Sequence, residues 1–367
     1  MQKNIIFLPF INGKESKDWR DDRQKDFFKL DGMERLTNDI NEARSKKPVK
    51  KKYGDSESEV QRYETDIRTY YNDLHALKAK RQAVWVKYLA EETAKLFENE
   101  LKKMLKRPDF KDSIIVAALP EFFWCDINDN QKHIPSSAEH NEEEIIGYHK
   151  PLYDTNMINI LLHAENNPLA RLTKTCENLI IFAGTVMWKI INEENHENEM
   201  IDNTLIIYHS GDVADTWSKH FVSTIDGFYK YVRSEENPGK WVCKLVKNKK
   251  GEYGTKNERA PITEFKGVKF TYDICLDFVK GTNGRPLSTD LCNGQKTDMN
   301  VLISAGMPIY DIDLTKINSP VILRCDGSYP PYAEIAQNGV YLAGSHNSIS
   351  GGTIIGELET VIDIPKS

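Results

Sequence analysis

The stretch SIIVAALPE, residues 113–121, decides the fold. Its apolar residues, Ile114 to Leu119, follow one another without the alternation of a half-buried strand, which predicts a strand that is covered on both faces. Strands of this kind are typical of α/β proteins. A carboxylate, Glu121, comes directly after Pro120. Because ligands of α/β sheets bind beyond the carboxyl ends of the strands, Glu121 is a candidate site residue.

Strand-like and helix-like segments alternate over most of the chain. Similar apolar runs occur at 4–10, 178–188, 203–211, 267–275, 299–306, 319–325 and 340–345. Residues 157–176 read as a helix, and apolar residues between about 57 and 107 recur at spacings of three and four, which predicts a pair of amphipathic helices closed by Pro108. This alternation predicts an α/β sandwich.

The region from about 14 to 56 differs from the rest because it is dense in charge and ends in KKPVKKKYGDSESE. This composition predicts a solvated loop or a partly ordered insertion, with a binding arm as the alternative. Near the other end of the chain, the glycine-rich GSHNSISGG (344–352) predicts a turn between two late strands.

The composition excludes several function classes. A formal charge of -6 argues against a nucleic-acid binder that is held by phosphate contacts. No dinucleotide-binding or P-loop motif follows a strand, no run of about eighteen apolar residues is present, and MQKNIIFLPF lacks the features of a signal peptide. We therefore expect a cytoplasmic protein. The six cysteines have no zinc-site spacing, and no metal or organic cofactor is predicted: they lie at 125, 176, 243, 275, 292 and 325.

Two further reactive residues lie at predicted strand ends. Cys275 closes GVKFTYDIC, and Lys219 lies in GDVADTWSKHF, just after the strand 203–211 and a turn at Ser210-Gly211. A thiol of pKa about 8.5 needs a base or a nearby cation to react as the thiolate. Glu121 supplies the base, and Lys219 supplies a cation for the thiolate and for the oxyanion of a tetrahedral intermediate. Together the three side chains are suited to cleave an amide or a nitrile through a thioester.

With these segments, the sequence resembles the nitrilase superfamily, the carbon–nitrogen hydrolases, whose members use a Glu-Lys-Cys triad. Three blocks occur in the family's order: LPE at 119–121, NTLIIYHSGDVADTWSKHF at 203–221, and GVKFTYDICLD at 267–277, which is similar to the family's Ile-Cys-x-Asp/Glu block. The resemblance covers roughly 110–367 and the first strand.

The resemblance implies a fold and roles for individual residues. The fold is a nitrilase-like α-β-β-α sandwich in a single domain, 1–367, with a charged and helical insertion at 14–80. Glu121 is implied as general base, Lys219 as the cation that stabilises the intermediate, and Cys275 as nucleophile. The backbone N–H of Leu276 is implied as the second oxyanion donor. A homodimer is implied as well.

The sequence also departs from the family. The segment between Lys219 and Cys275 is longer than the family's, which predicts a second insertion at 230–262 near the mouth of the site. Lys244, in this segment, is the rival of Lys219, although WVCKLVKNKK looks like a hairpin arm. After Cys275 the chain continues LDFVKGTNGRP, where the family often has an arginine-phenylalanine-proline type of sequence, so substrate contacts cannot be carried over. Asp226 is a candidate second acid, beside Glu235 and Glu236.

The remaining chemically active residues near these blocks have ordinary structural interpretations. The aromatics Phe122 to Trp124 either line an apolar pocket or pack in the core, and we favour the core. Cys125 is expected to have a packing role, since Asp126 opposes a thiolate there. His209 and His220 are expected to be surface or core histidines that are satisfied by their neighbours.

The sequence thus predicts a thiol-dependent amidase-type hydrolase that acts on a small-molecule amide or, less commonly, a nitrile. Two alternatives remain open. An acyltransferase would use the same thioester but pass the acyl group to an amine. A binding or effector protein would keep the fold and act through its insertions.

Overall fold

The computed structural model describes most of the chain, with gaps. The described residues are 2–11, 16–49, 52–54, 56–125, 145–147, 160–190, 200–221, 228–233, 241–245, 259–309, 313, 316–327, 332–346, 354–355 and 358–363. The strands are β1 Gln2–Ile11, β2 Ser113–Ala118, β3 Ile145–Gly147, β4 Leu179–Ile190, β5 Met200–His209, β6 Asp212–Ser218, β7 Phe228–Arg233, β8 Trp241–Leu245, β9 Ile262–Phe265, β10 Val268–Ile274, β11 Met299–Ser304, β12 Val321–Asp326, β13 Tyr332–Gln337, β14 Val340–His346, β15 Ile354–Ile355 and β16 Leu358–Asp363. The α-helices are α1 Ser16–Phe28, α2 Met33–Ser45, α3 Glu57–Met104, α4 Pro168–Thr175 and α5 Leu287–Leu291.

The strands form two large mixed sheets and one small sheet. The first sheet has the order β15-β1-β2-β4-β5-β6, with β16 also paired to β1. In it, β1, β2 and β4 run parallel, and β5 and β6 continue antiparallel. The second sheet has the order β14-β13-β12-β11-β10-β9, with β10, β11 and β12 parallel. The small sheet joins β3, β7 and β8.

The two large sheets pack face to face, and β2 shows why its sequence is continuously apolar. Ile114, Val116 and Ala118 lie in a cluster shared with the second sheet, together with residues such as Phe270 and Val301. Ile115 and Ala117 point the other way, into a cluster shared with the helices. Both faces of β2 are therefore covered, as the sequence predicts. The predicted two-sheet α/β sandwich is confirmed.

The charged region near the N-terminus is helical, which corrects the loop interpretation of residues 14–56. In this region α1 and α2 contribute Phe27, Met33, Leu36 and Ile40 to the core beside the first sheet. These apolar residues are spaced three to seven positions apart along the helices, and the many charges between them conceal the pattern.

The predicted helix pair at 57–107 is a single helix, α3, of 48 residues. The sequence between Glu57 and Met104 contains neither glycine nor proline, so nothing in it breaks the helix. Its second half packs on the first sheet through residues such as Trp85 and Phe97, whereas no described side chain from Glu57 to Asp73 is buried. The first half therefore extends beyond the sandwich alongside α2.

Another corrected segment is the predicted helix at 157–176. Its described part contains the helical residues 160–162, a short 3-10 turn, Ala164–Asn166, and the separate helix α4. Pro168 begins α4 and Asn167 caps it, since the Asn167 side chain accepts a hydrogen bond from the N–H of Leu169. The proline and its cap divide what the apolar pattern reads as one helix.

The outer face of the second sheet has a thin cover. Among the described residues, that cover consists of one-turn pieces, the 3-10 helix Cys275–Val279, a 3-10 turn at Thr282–Gly284 and α5. They enclose a small apolar cluster of Phe278, Leu302, Ile309, Ile322 and Ala336. In the part of the chain that is described, no helix is long and apolar enough to cross a membrane.

The boundaries of the two predicted insertions stay a prediction. Within 230–262, β8 pairs with β7 in an antiparallel arrangement, in keeping with the hairpin arm expected for WVCKLVKNKK, although 246–258 lies outside the described residues. The predicted glycine-rich turn lies outside them from 347 to 353.

Candidate active site

Two strands of the first sheet bring Glu121 and Lys219 to the same end of that sheet. Glu121 follows β2, and Lys219 follows β6, which runs in the same direction as β2 because β5 lies antiparallel to both β4 and β6. The N–H of Lys219 donates to the carbonyl oxygen of Asn203 at 2.8 Å, which extends the β5–β6 ladder by one step. Lys219 was expected directly after the turn at Ser210-Gly211, but β6 intervenes and carries it to the opposite end of the strands.

A tight turn holds Glu121 in place. The backbone N–H of Phe122 donates to Oγ1 of Thr185 at 2.8 Å, and Phe122 has a φ of 62°. A Cβ on Gly184, whose φ is +67°, would lie 2.4 Å from the carbonyl oxygen of Pro120. Only glycine therefore permits this close approach of β4 to the turn. The turn is fixed by β4 on one side, so the Glu121 backbone is rigidly placed.

Glu121 and Lys219 form a buried ion pair. Lys219 Nζ lies 2.7 Å from Glu121 Oε1, and both side chains have 0% exposure. The side-chain amide of Asn203 donates to the same oxygen at 2.9 Å. A charge in such a position is tolerated only with a partner, and the removal of one member leaves the other uncompensated. Because both side chains are buried, these charges do not contribute to the solubility of the protein.

Cys275 lies at the end of β10 and faces the space between the sheets. Along β10, Tyr272 and Ile274 point into the inter-sheet cluster, and strict alternation would turn the next residue outward. Cys275 instead has a φ of 46° and belongs to the inter-sheet cluster, with 4% exposure. A non-glycine residue in this conformation is uncommon and is typical of functional turns. Cys275 also begins the 3-10 helix, so Leu276 lies in its first turn, where N–H groups lack helical partners.

Asp277 connects the cysteine turn with the lysine strand. Its buried carboxylate accepts hydrogen bonds from the backbone N–H groups of His220, at 3.0 Å, and Phe221, at 2.9 Å. These are the two residues that follow Lys219. The residue two positions after Cys275 is thus bonded to the residue next to Lys219, and Lys219 is bonded to Glu121. Asp277 therefore joins the chain segment that carries Cys275 to the segment that carries Lys219, the partner of Glu121.

Several other predicted site residues cannot be placed. Asp226, Glu235 and Glu236 lie outside the described residues, and for Lys244 only the backbone, on β8, is described. Their roles stay predictions.

The aromatics after Glu121 divide between core and site. Trp124 donates from Nε1 to the carbonyl oxygen of Ala183 at 2.6 Å, and Phe123 packs edge-on against Phe10, so both are core residues. Phe122 differs, because its ring centroid lies 6.0 Å from Lys219 Nζ.

Cys125 is buried, and its carbonyl oxygen accepts a hydrogen bond from Trp85 Nε1 at 3.2 Å. Its burial agrees with the expected packing role, which stays a prediction.

The two histidines have structural surroundings. The ring of His209 lies against Phe265, with centroids 5.1 Å apart, and burial lowers the pKa of His209. The ring of His220 lies 5.2 Å from that of Trp217, and its Nδ1 is 3.9 Å from Asp277. Across the described ranges, no three His, Cys, Asp or Glu side chains come together as a metal site would require.

The sequence reasoning missed Asn203 and the contacts of Asp277. Asn203 carries a weak signal, since an amide in the apolar row of β5, ahead of Leu205 and Ile207, needs a polar partner. Asp277 stands in the quoted block GVKFTYDICLD, but its backbone partners come from another strand. No pattern in one sequence reveals such a long-range contact.

No protein-family model matches the sequence, and no curated protein matches it. Solved structures are similar in fold. A carbon–nitrogen hydrolase from Helicobacter pylori G27 is 11% identical, with 76% of this chain and 85% of that chain covered and a TM-score of 0.41. An amidase from Nesterenkonia sp. is 10% identical, with 75% and 85% covered and a TM-score of 0.39.

A glutamine-dependent NAD+ synthetase from Acinetobacter baumannii is also similar, at 12% identity and a TM-score of 0.40. The similarity covers 77% of this chain but 45% of the synthetase. These TM-scores are all below 0.5, so the proposed function of this chain rests on its own residues.

Proposed function

We propose that this protein is a thiol-dependent hydrolase of a non-peptide carbon–nitrogen bond, of the amidase type. The observation that carries the proposal is the fully buried Glu121–Lys219 pair at a strand edge. Asp277 links this pair to the turn of Cys275, whose φ is positive. A buried base and a cation beside a thiol are what nucleophilic attack by sulfur requires.

In the first half of the reaction, Cys275 Sγ attacks the carbonyl carbon of the amide, and the thiol proton passes to Glu121. The carbonyl oxygen becomes an oxyanion that accepts hydrogen bonds from the Lys219 ammonium and from the N–H of Leu276. The intermediate then collapses. The carbon–nitrogen bond breaks, the proton on Glu121 moves to the leaving nitrogen, and a thioester on Cys275 remains.

In the second half, Glu121 takes a proton from a water molecule that attacks the thioester carbon. The carbon–sulfur bond breaks, Cys275 regains its proton and a carboxylic acid leaves. Acyl transfer to an amine would follow the same route, with the amine in place of water. A nitrile would form a thioimidate with Cys275, and the addition of water with loss of ammonia would give the same thioester without a change in oxidation state.

The test is the release of ammonia or amine from a panel of short aliphatic and aromatic amides and nitriles, with and without hydroxylamine as acceptor. Hydrolysis that depends on Cys275, with an acyl mass on the Cys275 peptide after acid quench, supports the proposal. Formation of hydroxamate at the expense of acid would show that the thioester forms, and a preference for an ordinary amine over water as acceptor would identify an acyltransferase. Turnover that survives Cys275→Ala would contradict the mechanism.

A second candidate function is favoured by a groove between α2 and the projecting half of α3. The groove has a volume of about 900 Å³, and its lining includes Lys46, Lys52, Arg62, Asp66 and Val49. Such a mixed lining is suited to a protein segment with both charges and apolar side chains. A binding or effector protein that acts through this groove would show weak or no turnover. Its Cys275 would then be no more reactive than a buried structural cysteine.

We also expect a homodimer and a cytoplasmic location, as the resemblance and the composition predict. Light scattering after gel filtration measures the first, and fractionation of the producing cells measures the second.

A further inference from the structure

Asn203 is an amide in a row of β5 whose following members, Leu205 and Ile207, are apolar and buried. On β5, Leu205 and Ile207 point into the core between the two sheets, and Asn203 lies in the same row, two positions before Leu205. It is 0% exposed. A buried amide in such a row lowers stability unless it forms hydrogen bonds, so the contacts of Asn203 indicate what it does.

Asn203 contacts both members of the buried ion pair. Its side-chain Nδ2 donates to Glu121 Oε1 at 2.9 Å, and its backbone carbonyl oxygen accepts from the N–H of Lys219 at 2.8 Å. Lys219 Nζ donates to the same oxygen of Glu121 at 2.7 Å. Asn203 therefore holds the backbone of Lys219 through its own backbone and binds the Glu121 carboxylate through its side chain.

We propose that Asn203 is a positioning residue that keeps the Glu121 carboxylate ionised and oriented against Lys219, so that Glu121 can accept the thiol proton. The inference rests on the function proposed above. An amide that donates to a carboxylate favours its charged form, and the same bond restricts its rotation. An ionised base is needed in the resting enzyme, because a protonated carboxyl cannot take the proton of Cys275.

Asn300 provides a matched control. It is also a fully buried asparagine on a central strand, β11, but it lies on the outer face of the second sheet. Its Nδ2 donates to Asp273 Oδ2 at 2.8 Å and to Ser288 Oγ at 3.0 Å. Asn300→Leu removes a buried amide of the same size from a place without contact to Glu121.

The experiment compares Asn203→Leu, Asn203→Asp and Asn300→Leu with the natural protein. Removal of the donor in Asn203→Leu should move the acid limb of kcat/KM upward by about one pH unit, and the added carboxylate of Asn203→Asp should move it further. We expect KM to change little. In Asn300→Leu the acid limb should stay in place, although this variant should unfold more easily.

A role of Asn203 in folding alone would lower the rate equally at every pH and leave the acid limb unmoved, and this outcome would overturn the inference. A second readout is independent of turnover. With ¹³C-labelled glutamate, the Glu121 carboxyl should titrate at higher pH in Asn203→Leu than in the natural protein. An unshifted titration contradicts the inference even if hydrolysis is found, whereas an absence of hydrolysis with a shifted titration contradicts only the proposed function.

Discussion

Two clusters of buried charge in this molecule differ in their surroundings, and we propose that only one of them is a reactive site. Glu121 and Lys219 lie at a strand edge between the sheets. Arg324, by contrast, lies in the middle of β12 on the outer face of the second sheet, paired with Asp326 at 2.6 Å and with Glu334 on the neighbouring strand.

The outer cluster has the features of a structural network. Asp326 also accepts hydrogen bonds from Ser304 Oγ, at 2.6 Å, and from the backbone N–H of Gly306. These bonds tie β12 to the loop after β11. Burial of charge by itself therefore does not identify a site. The bonds from Asp277 to the residues after Lys219 connect the first cluster to the turn of Cys275, and this connection distinguishes it from the second.

The largest expected difference concerns two buried cysteines. Cys275→Ala should lower amide hydrolysis at least about a thousandfold, because the proposed nucleophile is lost. Cys325 lies on β12 in the inter-sheet core, and its thiol is 3.4 Å from the carbonyl oxygen of Ala118. Cys325→Ala should keep the rate within a few-fold and lose about 1–2 kcal/mol of unfolding free energy, as small core truncations do. Initial rates and chemical denaturation measure the two effects. Equal losses of rate in Cys275→Ala and Cys325→Ala would contradict a special role of Cys275.

The next comparison exchanges one glutamate in each cluster for its amide. Glu121→Gln removes a base and should lower kcat about a hundredfold or more. Glu334→Gln removes one of the charges around Arg324 and should lower the unfolding free energy by about 1–3 kcal/mol with little change in kcat. If Glu334→Gln instead impairs kcat as much as Glu121→Gln does, the outer cluster takes part in catalysis and our distinction is wrong.

Substitutions of two glycines with positive φ distinguish the effect of backbone strain on stability from the effect of a displaced Glu121 on activity. At Gly267, in the turn between β9 and β10, a Cβ meets nothing within 4 Å, so Gly267→Ala should lower stability by about 1 kcal/mol. At Gly184 a Cβ would collide with the carbonyl oxygen of Pro120. Gly184→Ala should therefore shift Glu121 and lower kcat by about tenfold to a hundredfold, with folding retained. Circular dichroism and steady-state kinetics test both variants, and full activity of Gly184→Ala contradicts a rigidly held turn.

The last comparison concerns pH and stability on the outer face, where no effect on turnover is expected. Burial raises the pKa of Asp273 from 3.8 to about 6, against the lowering effect of hydrogen bonds from Ser288 and Asn300. The folded state thus holds this proton more tightly than the unfolded state does. The resulting stability is fully present below about pH 4 and is lost as the pH rises through 6.

Relative to Asp273→Asn, the natural protein should therefore lose up to about 3 kcal/mol of unfolding free energy between pH 4 and pH 6.5. Urea denaturation at a series of pH values measures this difference. Parallel pH profiles for the two proteins would show that Asp273 does not titrate in this range.

Much of the fold could be predicted, because both faces of its strands are buried and their sequences are correspondingly apolar. The strands around Ile115, Ile181 and Val301 are examples. The strands β6 and β13 were not predicted, because Asp215, Thr216 and Glu334 interrupt their apolar pattern. The helices α1 and α2 were concealed by charge, although Phe27 and Ile40 are fully buried.

The candidate site was predictable only in part. Glu121, Lys219 and Cys275 each stand at or near a strand end in the sequence, and chemical complementarity suggests that they act together. Asn203 and Asp277 act through contacts between residues that are distant in the chain, and one sequence contains no record of such contacts. The side chain of the residue just after a strand can face either way, and for Cys275 the positive φ, which the sequence does not reveal, turns it toward the space between the sheets.

The reactivity of Cys275 toward iodoacetamide, followed peptide by peptide by mass spectrometry at neutral pH, tests the central claim most directly and needs no knowledge of the substrate. Burial raises the pKa of Cys292 to about 11 and moves that of Cys325 upward as well, so both should react slowly in the folded protein. We predict that Cys275 is alkylated at least about tenfold faster than either, because Lys219 favours its thiolate, and that Lys219→Met removes this advantage while Arg324→Met does not. Alkylation of Cys275 as slow as that of Cys325, or unchanged in Lys219→Met, would contradict the account.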